Sequence, residues 1–316
     1  MKTKDSHIKH IRRQLPRWIS YVKGTSKLHV PLSPMKNPSN PREVRDYICD
    51  FTPKLESPYD LDLQGVPTNR LYDGRLVYFP IAISQKLIAK LQRGDLLEEC
   101  FPLAHWICEN IEHNGAIKTW THLGNKVTSP YSAMTQGQCL SALIRFELRF
   151  PGCSGVQSAI SQLCDGLTNG QSLGIVQLSE SRLPILVETP LPSLNVILNG
   201  WCFALWGALE AGVFTNRQDV TTLASDSLTC LASSLPQYSS YWWSYYDDKG
   251  RVASPFYHDL HITLLQALYH FSSNDTFLHV RRKFERQRKN PICKGIAITH
   301  KATQKILEQP YPEFSS

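Results

Sequence analysis

The length and composition of the chain indicate a globular protein with one large domain or two small ones. The chain has 316 residues, of which 42% are hydrophobic and 19% are charged, and this is enough to bury a sizeable core. The formal net charge of +7 favours an anionic partner. Much of that charge lies in two runs, HIKHIRRQLPR and VRRKFERQRK. Such runs are usually solvated faces, so nucleic acid is not the expected partner.

The cysteines and the apolar segments exclude further classes of protein. The nine cysteines form an odd number without a C-x-x-C pair, which argues against a disulfide framework and a zinc ribbon and favours a reducing compartment. The first residues are polar and basic and no apolar segment follows them, so no secretory signal is expected and the predicted location is cytoplasmic. The most apolar window, 195–214, contains two asparagines, a glutamate and three glycines. That content favours a buried helix over a transmembrane segment.

Two regions precede the helical part of the chain. Residues 1–45 are basic and contain several prolines, and we expect them to form an extended arm. Residues 46–80 mix prolines, glycines, aspartates and aromatic residues without a long helical period, which predicts irregular chain with a short β-hairpin centred on YDGRLVYF. Outside this region, a sheet-forming insertion would have to lie at 166–192.

Helices are predicted from Ile81 onward. Breaks rich in glycine, proline and serine separate roughly eight helical segments, which predicts helical hairpins stacked side by side. The expected fold class is therefore mainly α, an (α/α) toroid or incomplete α/α barrel of paired helices that occupies 46–316. The segments with apolar residues at helical spacing are AISQKLIAKLQ, CFPLAHWICENI, AMTQGQCLSALIRFEL, VQSAISQLCDGL, LNVILNGWCFALWGALEAG, DVTTLASDSLTCLASSL, HDLHITLLQALYHF and NDTFLHVRRKFERQ.

Three helix starts carry polar side chains where a purely structural helix would have apolar ones. They are SPYSAMTQGQ at 129–138, ETPLPSLNVILNG at 188–200 and SPFYHDLHITLLQ at 254–266. Proline suits such positions because the first N–H groups of a helix have no intrahelical partner, and those groups favour a nearby anion. If the three starts converge at one end of a toroid, they form a concave polar site. For any single segment, proline and serine that merely punctuate a helix are the simpler interpretation.

These motifs resemble those of the D-glucuronyl C5-epimerase family. SPYSAMTQGQCLSALIR resembles its S-A-M-A-Q-G-Q-x-I-S-x-L-x-R signature, and PSLNVILNGWCFALWGALE its P-S-x-x-V-L-N-G helix start. SPFYHDLHITLLQAL is similar to its Y-H-x-x-H-I-x-x-L segment, and VYFPIAISQ to its Y-x-P-I-x-I-A-Q motif. The order and spacing agree from about Asp46 to about Phe271. Because there is no room for the β-sandwich of the animal enzymes between Gln85 and Phe101, the resemblance is to a compact, bacterial-type member.

The resemblance implies an isomerase that inverts D-glucuronate to L-iduronate, or converts a similar uronate, within an acidic polysaccharide of the heparan sulfate type. Such an enzyme removes the proton at C5, which is alpha to a carboxylate, and returns a proton to the opposite face. The implied partner is a uronate-containing polysaccharide and no cofactor is implied. A homodimer is compatible with the sequence.

The resemblance also assigns roles to individual residues. Tyr257 matches the essential tyrosine of the family, Glu188 faces it as the second proton-transfer group, and Tyr246 matches a further tyrosine of the cleft. A catalytic tyrosine would need its pKa lowered from about 10, and Glu188 would need its pKa raised by burial from about 4.3. The residues expected to bind the substrate are Asn199, Arg251, Tyr78, Gln138, His258, His261 and Tyr131.

Several of these residues also have simpler structural interpretations. Glu188 could cap a helix that begins near Ser193, and Tyr246 could be packing within the aromatic cluster YWWSYY. His258 and His261 could be satisfied core histidines. No third ligand stands close to them in the sequence, so a zinc site is rejected.

Other substrate-binding assignments leave a choice between residues or between roles. The planar guanidinium of Arg251 suits a carboxylate, although Lys249 aligns with the arginine of the family. Gln136 and Gln138 are expected to line the cleft and to hold neighbouring loops by amide hydrogen bonds, more than to contact the substrate directly.

One departure from the family pattern keeps two other functions open. The acidic motif of the family reads E-Y-P, whereas this chain has Glu188-Thr189-Pro190, so the tyrosine next to the glutamate is absent. A polysaccharide lyase shares the carbanion chemistry but expels the 4-O substituent. A non-catalytic polysaccharide-binding member of the family is the other alternative.

Overall fold

The computed structural model of the chain describes residues 46–56, 60–71 and 73–307. The basic arm predicted at 1–45 lies outside these residues. The helices are α1 Pro80–Arg93, α2 Leu97–Glu109, α3 Ala133–Arg149, α4 Val156–Thr168, α5 Leu198–Thr215, α6 Gln218–Ser234, α7 Pro255–Ser272, α8 Asp275–Lys289 and α9 Pro291–Leu307. The strands are β1 Asp60–Leu61, β2 Pro67–Arg70, β3 Leu76–Tyr78, β4 Val176–Leu178 and β5 Pro184–Leu186. Three short 3₁₀ helices lie at Thr52–Glu56, Thr121–Lys126 and Leu235–Tyr238.

The prediction of a mainly helical fold is confirmed. Helices cover well over half of residues 81–310, and the longest strand in the described ranges has 4 residues, so the described part of the chain has no β-sandwich. Eight of the helices correspond to the predicted segments. The ninth, α9, follows a turn at Asn290 and was not predicted as a separate helix.

The first eight helices form two layers. Helix α3 packs between α1 and α5, and α5 also contacts α7, so α1, α3, α5 and α7 form an inner row. Each helix of the other layer, α2, α4, α6 and α8, packs against the inner helix that precedes it. This alternation is the arrangement of an open (α/α) toroid of helical hairpins, as predicted. It places the N-terminal ends of the inner helices on the same side of the molecule, because every outer helix returns the chain.

Small residues let α3 and α5 approach closely at the centre of the inner row. A Cβ atom added to Gly137 would lie 2.6 Å from the Cα of Ala204, and one added to Gly207 would overlap the carbonyl group of Gly137. Further along the same helices, Arg145 forms a buried ion pair with Glu210, with Nη2–Oε1 and Nη1–Oε2 distances of 2.5 and 2.7 Å. Breaking one partner of such a pair would leave a buried charge uncompensated.

The segment that precedes the first sheet covers part of the inner row. The ring of Tyr47 stacks on Phe203 of α5 with 6.2 Å between centroids, and Nη2 of Arg145 donates to the carbonyl oxygen of Asp46 at 2.7 Å. Within the segment's 3₁₀ helix, the ammonium group of Lys54 donates to Gln85 of α1. The segment therefore ties α1, α3 and α5 together.

Two small antiparallel sheets complete the fold, one in each region where the sequence allowed a sheet. Strands β1, β2 and β3 form one sheet in sequence order, and the turn between Leu71 and Arg75 makes β2 and β3 the predicted hairpin. Strands β4 and β5 form a second hairpin that leads directly into Glu188. This second hairpin is important for the site because it delivers that residue to the inner helices.

The apolar window at 195–214 forms most of α5, whose residues from Leu198 to Gly212 are all buried, as expected of a core helix. Over the described ranges, the search for helices long and apolar enough to cross a membrane finds none. All nine cysteines are unpaired thiols.

Candidate active site

The three polar helix starts contact one another through the segments that precede them. The backbone N–H of Ala133, at the start of α3, donates to the carbonyl oxygen of Val187 at 3.0 Å. The N–H of Leu198, at the start of α5, donates to the carbonyl oxygen of Tyr246 at 3.1 Å. The ring of Tyr246 in turn contacts Tyr257 at the start of α7. The N-terminal ends of three inner helices thus surround one site.

Serine side chains cap two of these helices, and the third starts later than predicted. Ser132 accepts from the N–H of Thr135 and Ser254 from the N–H of Tyr257, both at 3.4 Å, which is the usual role of serine at an N-cap. Helix α5 begins at Leu198 and not near Ser193. A capping role for Glu188 is therefore wrong, because the N-cap residue is Ile197, no side chain caps the helix, and Oε2 of Glu188 accepts no hydrogen bond.

The Glu188 carboxyl group is a buried acid of the site with a strongly perturbed pKa. Its oxygen Oε2 is buried without a hydrogen-bond partner, whereas its backbone carbonyl oxygen accepts from Nε1 of Trp120 at 2.9 Å. Burial raises the pKa of Glu188 to about 7, and the positive charge of Arg251 opposes this rise. The sequence predicted both that the pKa of Glu188 is raised and that burial is the cause. A carboxyl group with such a pKa exchanges protons readily near neutral pH.

Gly200 makes room for this carboxyl group on the first turn of α5. A Cβ atom at position 200 would lie 2.6 Å from the Cβ of Glu188 and still closer to its oxygen Oε2. Distances of this kind require the glutamate to move as a whole, since its Cβ is close to the backbone. Glycine is therefore needed here for the close approach of another side chain rather than for an unusual backbone conformation.

Two tyrosines lie against each other beside Glu188. The rings of Tyr246 and Tyr257 meet edge to face, with 4.8 Å between centroids and an interplanar angle of 63°. Burial raises the pKa of Tyr246 well above its ordinary value, and the nearby Tyr257 and Glu188 add to this effect. The expectation of a lowered pKa is thus wrong for Tyr246. This residue keeps its proton and can act as a hydrogen-bond donor or an acid.

Two cationic side chains lie over the ring of Tyr246. The Cζ atom of Arg251 is 5.4 Å and the Nζ atom of Lys301 is 5.7 Å from the ring centroid, within the range of cation–π interactions. The Nε of Arg251 also donates to the buried carboxylate of Asp247. Lys249, the alternative cation, is exposed and lies 3.7 Å from Asp248, so Arg251 is the one of the two that contacts Tyr246.

His258 and His261 are joined through Ser244, and their hydrogen bonds determine which nitrogens carry protons. Nε2 of His258 lies 3.0 Å from the carbonyl oxygen of Phe284, which can only accept, so this nitrogen is protonated. Nδ1 of His258 then accepts from the Ser244 hydroxyl at 2.8 Å. The hydroxyl oxygen is left to accept from Nδ1 of His261 at 3.2 Å. Nε2 of His261 remains as a buried acceptor without a partner.

The two histidines are neutral at neutral pH. Burial lowers the pKa of His258 to about 4 and that of His261 to about 3. His258 is a satisfied core histidine, the simpler of its two interpretations, whereas His261 keeps a vacant acceptor. Within the described ranges no group of three or more histidine, cysteine, aspartate and glutamate side chains could hold a metal ion.

Four buried acceptor atoms in this part of the fold have no hydrogen-bond partner. Native proteins pair nearly all buried polar atoms, so unpaired acceptors are candidate partners for a ligand that supplies donors. The hydroxyl groups of a sugar are such donors. The four atoms are Oε2 of Glu188, Oδ1 of Asn195, Oδ1 of Asn199 and Nε2 of His261.

Two of the predicted substrate-binding tyrosines have partners elsewhere. The hydroxyl of Tyr131 donates to Glu112 at 2.5 Å and accepts from Asn114 at 2.7 Å. Tyr78 is 43% exposed, and its hydroxyl donates to Asp62 at 2.8 Å. Neither tyrosine joins the group around Glu188 through these contacts, and substrate binding by either stays a prediction.

The two glutamines at the start of α3 are buried inside the protein. Gln136 accepts from the N–H of Ile117 at 3.2 Å and donates to the carbonyl oxygen of Gly115 at 2.8 Å, so it holds a neighbouring loop as expected. Gln138 accepts from Gln85 of α1 at 3.1 Å and links two inner helices. Both glutamines have no exposed surface, and a place for them along the cleft, with substrate binding by Gln138, stays a prediction.

Sequence reasoning missed several residues that form the site. Trp120, which bonds the backbone of Glu188, and Ser244, which joins the histidines, lie in segments without a helical or strand pattern. Asp247 had a local signal, because DDKG is a typical turn sequence. Asn195 lies four residues before Asn199, and Lys301 lies in the helix that was not predicted separately.

Comparison with known proteins finds a family whose model matches this chain. A family model described as D-glucuronyl C5-epimerase C-terminus matches residues 117–286, which is more than half of the chain. The matched part includes Glu188, Asn199, Tyr246, Arg251 and Tyr257. A search of curated proteins finds no match. The chain therefore belongs to the D-glucuronyl C5-epimerase C-terminal family.

Proposed function

We propose that this protein is a C5-epimerase that inverts D-glucuronate to L-iduronate, or converts a similar uronate, within an acidic polysaccharide of the heparan sulfate type. The observation that carries the proposal is the Glu188 carboxyl group. It has an unpaired buried oxygen and a pKa of about 7, and it lies beside a contacting pair of tyrosines where three inner helices begin. Perturbed acids in such positions are typical of catalytic sites.

In the first step, ionised Glu188 accepts the proton from C5 of the uronate. The electron pair of the C–H bond moves into the adjacent carboxylate, which then carries a second negative charge as an enediolate. Positive groups that face this charge stabilise it more than they stabilise the ground state, and this difference accelerates the reaction. Arg251 is one such group, because its charge already acts on Glu188.

In the second step, a phenol on the opposite face returns a proton to C5. We assign this role to Tyr257, whose ring contacts Tyr246. The enediolate electron pair forms the new C–H bond, and the phenolate and the protonated Glu188 then exchange protons with water to restore the initial state. Tyr246, which keeps its own proton, would donate a hydrogen bond to the phenolate or to the substrate. Thr189 cannot replace a tyrosine here, because an aliphatic hydroxyl is far too weak an acid.

The unpaired acceptors provide for recognition of the sugar. Asn199 Oδ1 and His261 Nε2 would each accept a hydrogen bond from a sugar hydroxyl group. A site built to bind hydroxyl groups discriminates strongly against ligands that lack them, since its buried polar atoms would then stay unpaired. This supports a carbohydrate substrate rather than an apolar one.

The experiment that tests the function is incubation in heavy water with glucuronate polymers. An epimerase incorporates deuterium at C5 and produces iduronate. A lyase instead produces an unsaturated sugar that absorbs in the ultraviolet, and a binding protein exchanges no C5 proton. Absence of both deuterium and iduronate across heparosan and its N-sulfated form would refute the proposal.

A further inference from the structure

Helix α9 packs on the loop that carries Tyr246 and Arg251. Ala297 has no exposed surface and packs with Trp243 and Val252. One turn later, the ring of His300 lies 5.6 Å from that of Trp242. Oε1 of Gln304 accepts from the backbone N–H of Val252 at 3.2 Å. These contacts hold α9 against one side of the site.

Lys301 lies on the inward-facing stripe of this helix. Positions 297, 301 and 304 are separated by four and three residues, so their side chains share one helical face. Lysine at such a position is uncommon, because its ammonium group normally stays in solvent. Lys301 is half-buried, and its Nζ atom lies 5.7 Å from the centroid of the partly buried Tyr246 ring. A residue that departs from the local pattern in this way points to a function.

Arg251 by itself does not balance the negative charges that the site would hold when an anionic substrate is bound. Arg251 already pairs with the buried carboxylate of Asp247, so these two side chains together add no net charge. Glu188 becomes negative when it is ready to accept a proton. A uronate brings one negative charge and the enediolate a second. The positive charge of Lys301, which lies over the same Tyr246 ring as Arg251, adds to the charge that Arg251 supplies.

We propose that Lys301 binds the carboxylate of the uronate, together with Arg251, beside the ring of Tyr246. This inference rests on the proposed function, and it makes α9 a part of the substrate site. The match to the family covers residues 117–286, so Lys301 lies outside the matched part of the chain. A shortened protein that ends where the match ends would lack this cation.

The test compares Lys301→Met with Lys301→Arg and with the control Lys294→Met. Methionine keeps the length of the side chain and removes its charge. Lys294 is an exposed lysine two turns earlier on the same helix, so its substitution makes the same change of net charge away from Tyr246. Each variant is titrated with a heparosan oligosaccharide and with the same oligosaccharide after its carboxyl groups have been reduced to alcohols. Melting temperatures verify that α9 stays folded.

We expect Lys301→Met to bind the heparosan oligosaccharide at least about 10-fold more weakly than the original protein, since losing one partner of a desolvated charge pair is costly. The carboxyl-reduced ligand should bind both proteins equally. Lys301→Arg should retain most of the affinity, and Lys294→Met all of it.

The inference would be overturned if Lys301→Met bound both oligosaccharides more weakly by the same factor. It would also be overturned if Lys301→Met bound the heparosan oligosaccharide as tightly as the original protein does. If the original protein discriminates the two ligands through Lys301 but exchanges no C5 proton, the inference stands and the proposed epimerase function fails.

Discussion

Glu188 combines two properties that a proton-transfer group at neutral pH requires. Its pKa is raised to about 7 by burial, so both protonation states are populated. Its oxygen Oε2 has no partner that would compete with the substrate. Tyr246 has the opposite character, because burial raises its pKa and keeps it protonated. The combination of a carboxyl group that ionises near neutral pH with a phenol that stays protonated is the pattern expected when the two faces of one carbon need different groups.

The first prediction concerns the two proposed proton-transfer groups, Glu188 and Tyr257. Glu188→Gln and Tyr257→Phe should each reduce C5 deuterium exchange by about 100-fold or more, the usual contribution of a positioned acid or base. Neither change removes much volume, so thermal stability should hardly change. The control is Tyr269→Phe, which lies on the same helix three turns beyond Tyr257 and should retain the original exchange rate. Retention of most exchange in Glu188→Gln would exclude the two-face mechanism.

The second prediction concerns the pH dependence of exchange. Because the base must be ionised, the rate for glucuronate should rise with pH and level off above the pKa of Glu188, which is about 7. The charge of Arg251 lowers this pKa, so Arg251→Gln should move the midpoint to higher pH. Initial rates of deuterium incorporation between pH 5 and 9, in about half-unit steps, measure both midpoints. A rate that falls as pH rises through 7 would assign Glu188 the role of an acid.

At the scale of elements, the site is assembled from the ends of regular structure. Hairpin β4–β5 delivers Glu188, the N–H of Ala133 holds the residue before it, and the first turn of α5 supplies the space that the carboxyl group occupies. Each of these elements forms for local reasons. Their relative position depends on the close packing of α3 and α5 around Gly137 and Gly207.

The third prediction tests whether the space at the first turn of α5 positions the Glu188 carboxyl group. Gly200→Ala should favour the helix by up to about 1 kcal/mol from propensity alone, yet its Cβ would collide with Glu188. We therefore expect exchange to fall at least about 10-fold while helical circular dichroism is retained, because a misplaced catalytic group loses rate steeply. Gly295→Ala is the matched control, since a Cβ there meets nothing within 4 Å. Full activity in Gly200→Ala would show that the carboxyl position is not critical.

At the scale of the whole molecule, the site depends on buried ionisable groups with opposite effects on stability. The pKa values of His258 and His261 are lowered to about 4 and about 3, from about 6.5 in an unfolded chain. The unfolded state therefore binds more protons below pH 6.5, and the stability that these residues contribute is lost as the pH falls. The pKa of Glu188 is raised, so its contribution has the opposite sign and decreases as the pH rises through about 4.5 to 7.

The fourth prediction follows from these signs. The contribution of the two histidines outweighs that of the one glutamate, so the free energy of unfolding should increase with pH between about 4.5 and 6.5. Each proton by which the unfolded and folded states differ contributes about 1.4 kcal/mol per pH unit. Urea unfolding at several pH values measures the slope. In Glu188→Gln the opposing contribution is absent, and the slope should be steeper. An unchanged slope in this variant would mean that the pKa of Glu188 is not raised in the folded protein.

Several features of the fold and the site followed from local patterns. Apolar residues at helical spacing were sufficient to predict eight helices and their pairing, because the period of 3.6 residues and the breaks between segments are local properties. The motifs around Glu188, Tyr246 and Tyr257 predicted the group that meets where three inner helices begin. The rise in the pKa of Glu188 also followed, since an acidic residue beside Pro190 and close to an apolar helix start is expected to be partly buried.

The remaining features depend on contacts between residues that are distant in the chain. The vacant acceptor of His261 follows from a hydrogen-bond path through Ser244 to Phe284, and the raised pKa of Tyr246 from its burial against Tyr257 and Glu188. Lys301 reaches the site because α9 packs on an irregular loop. Burial and hydrogen-bond partners are properties of the packed molecule, so a periodic pattern in one segment contains no information about which distant side chain will occupy the neighbouring space.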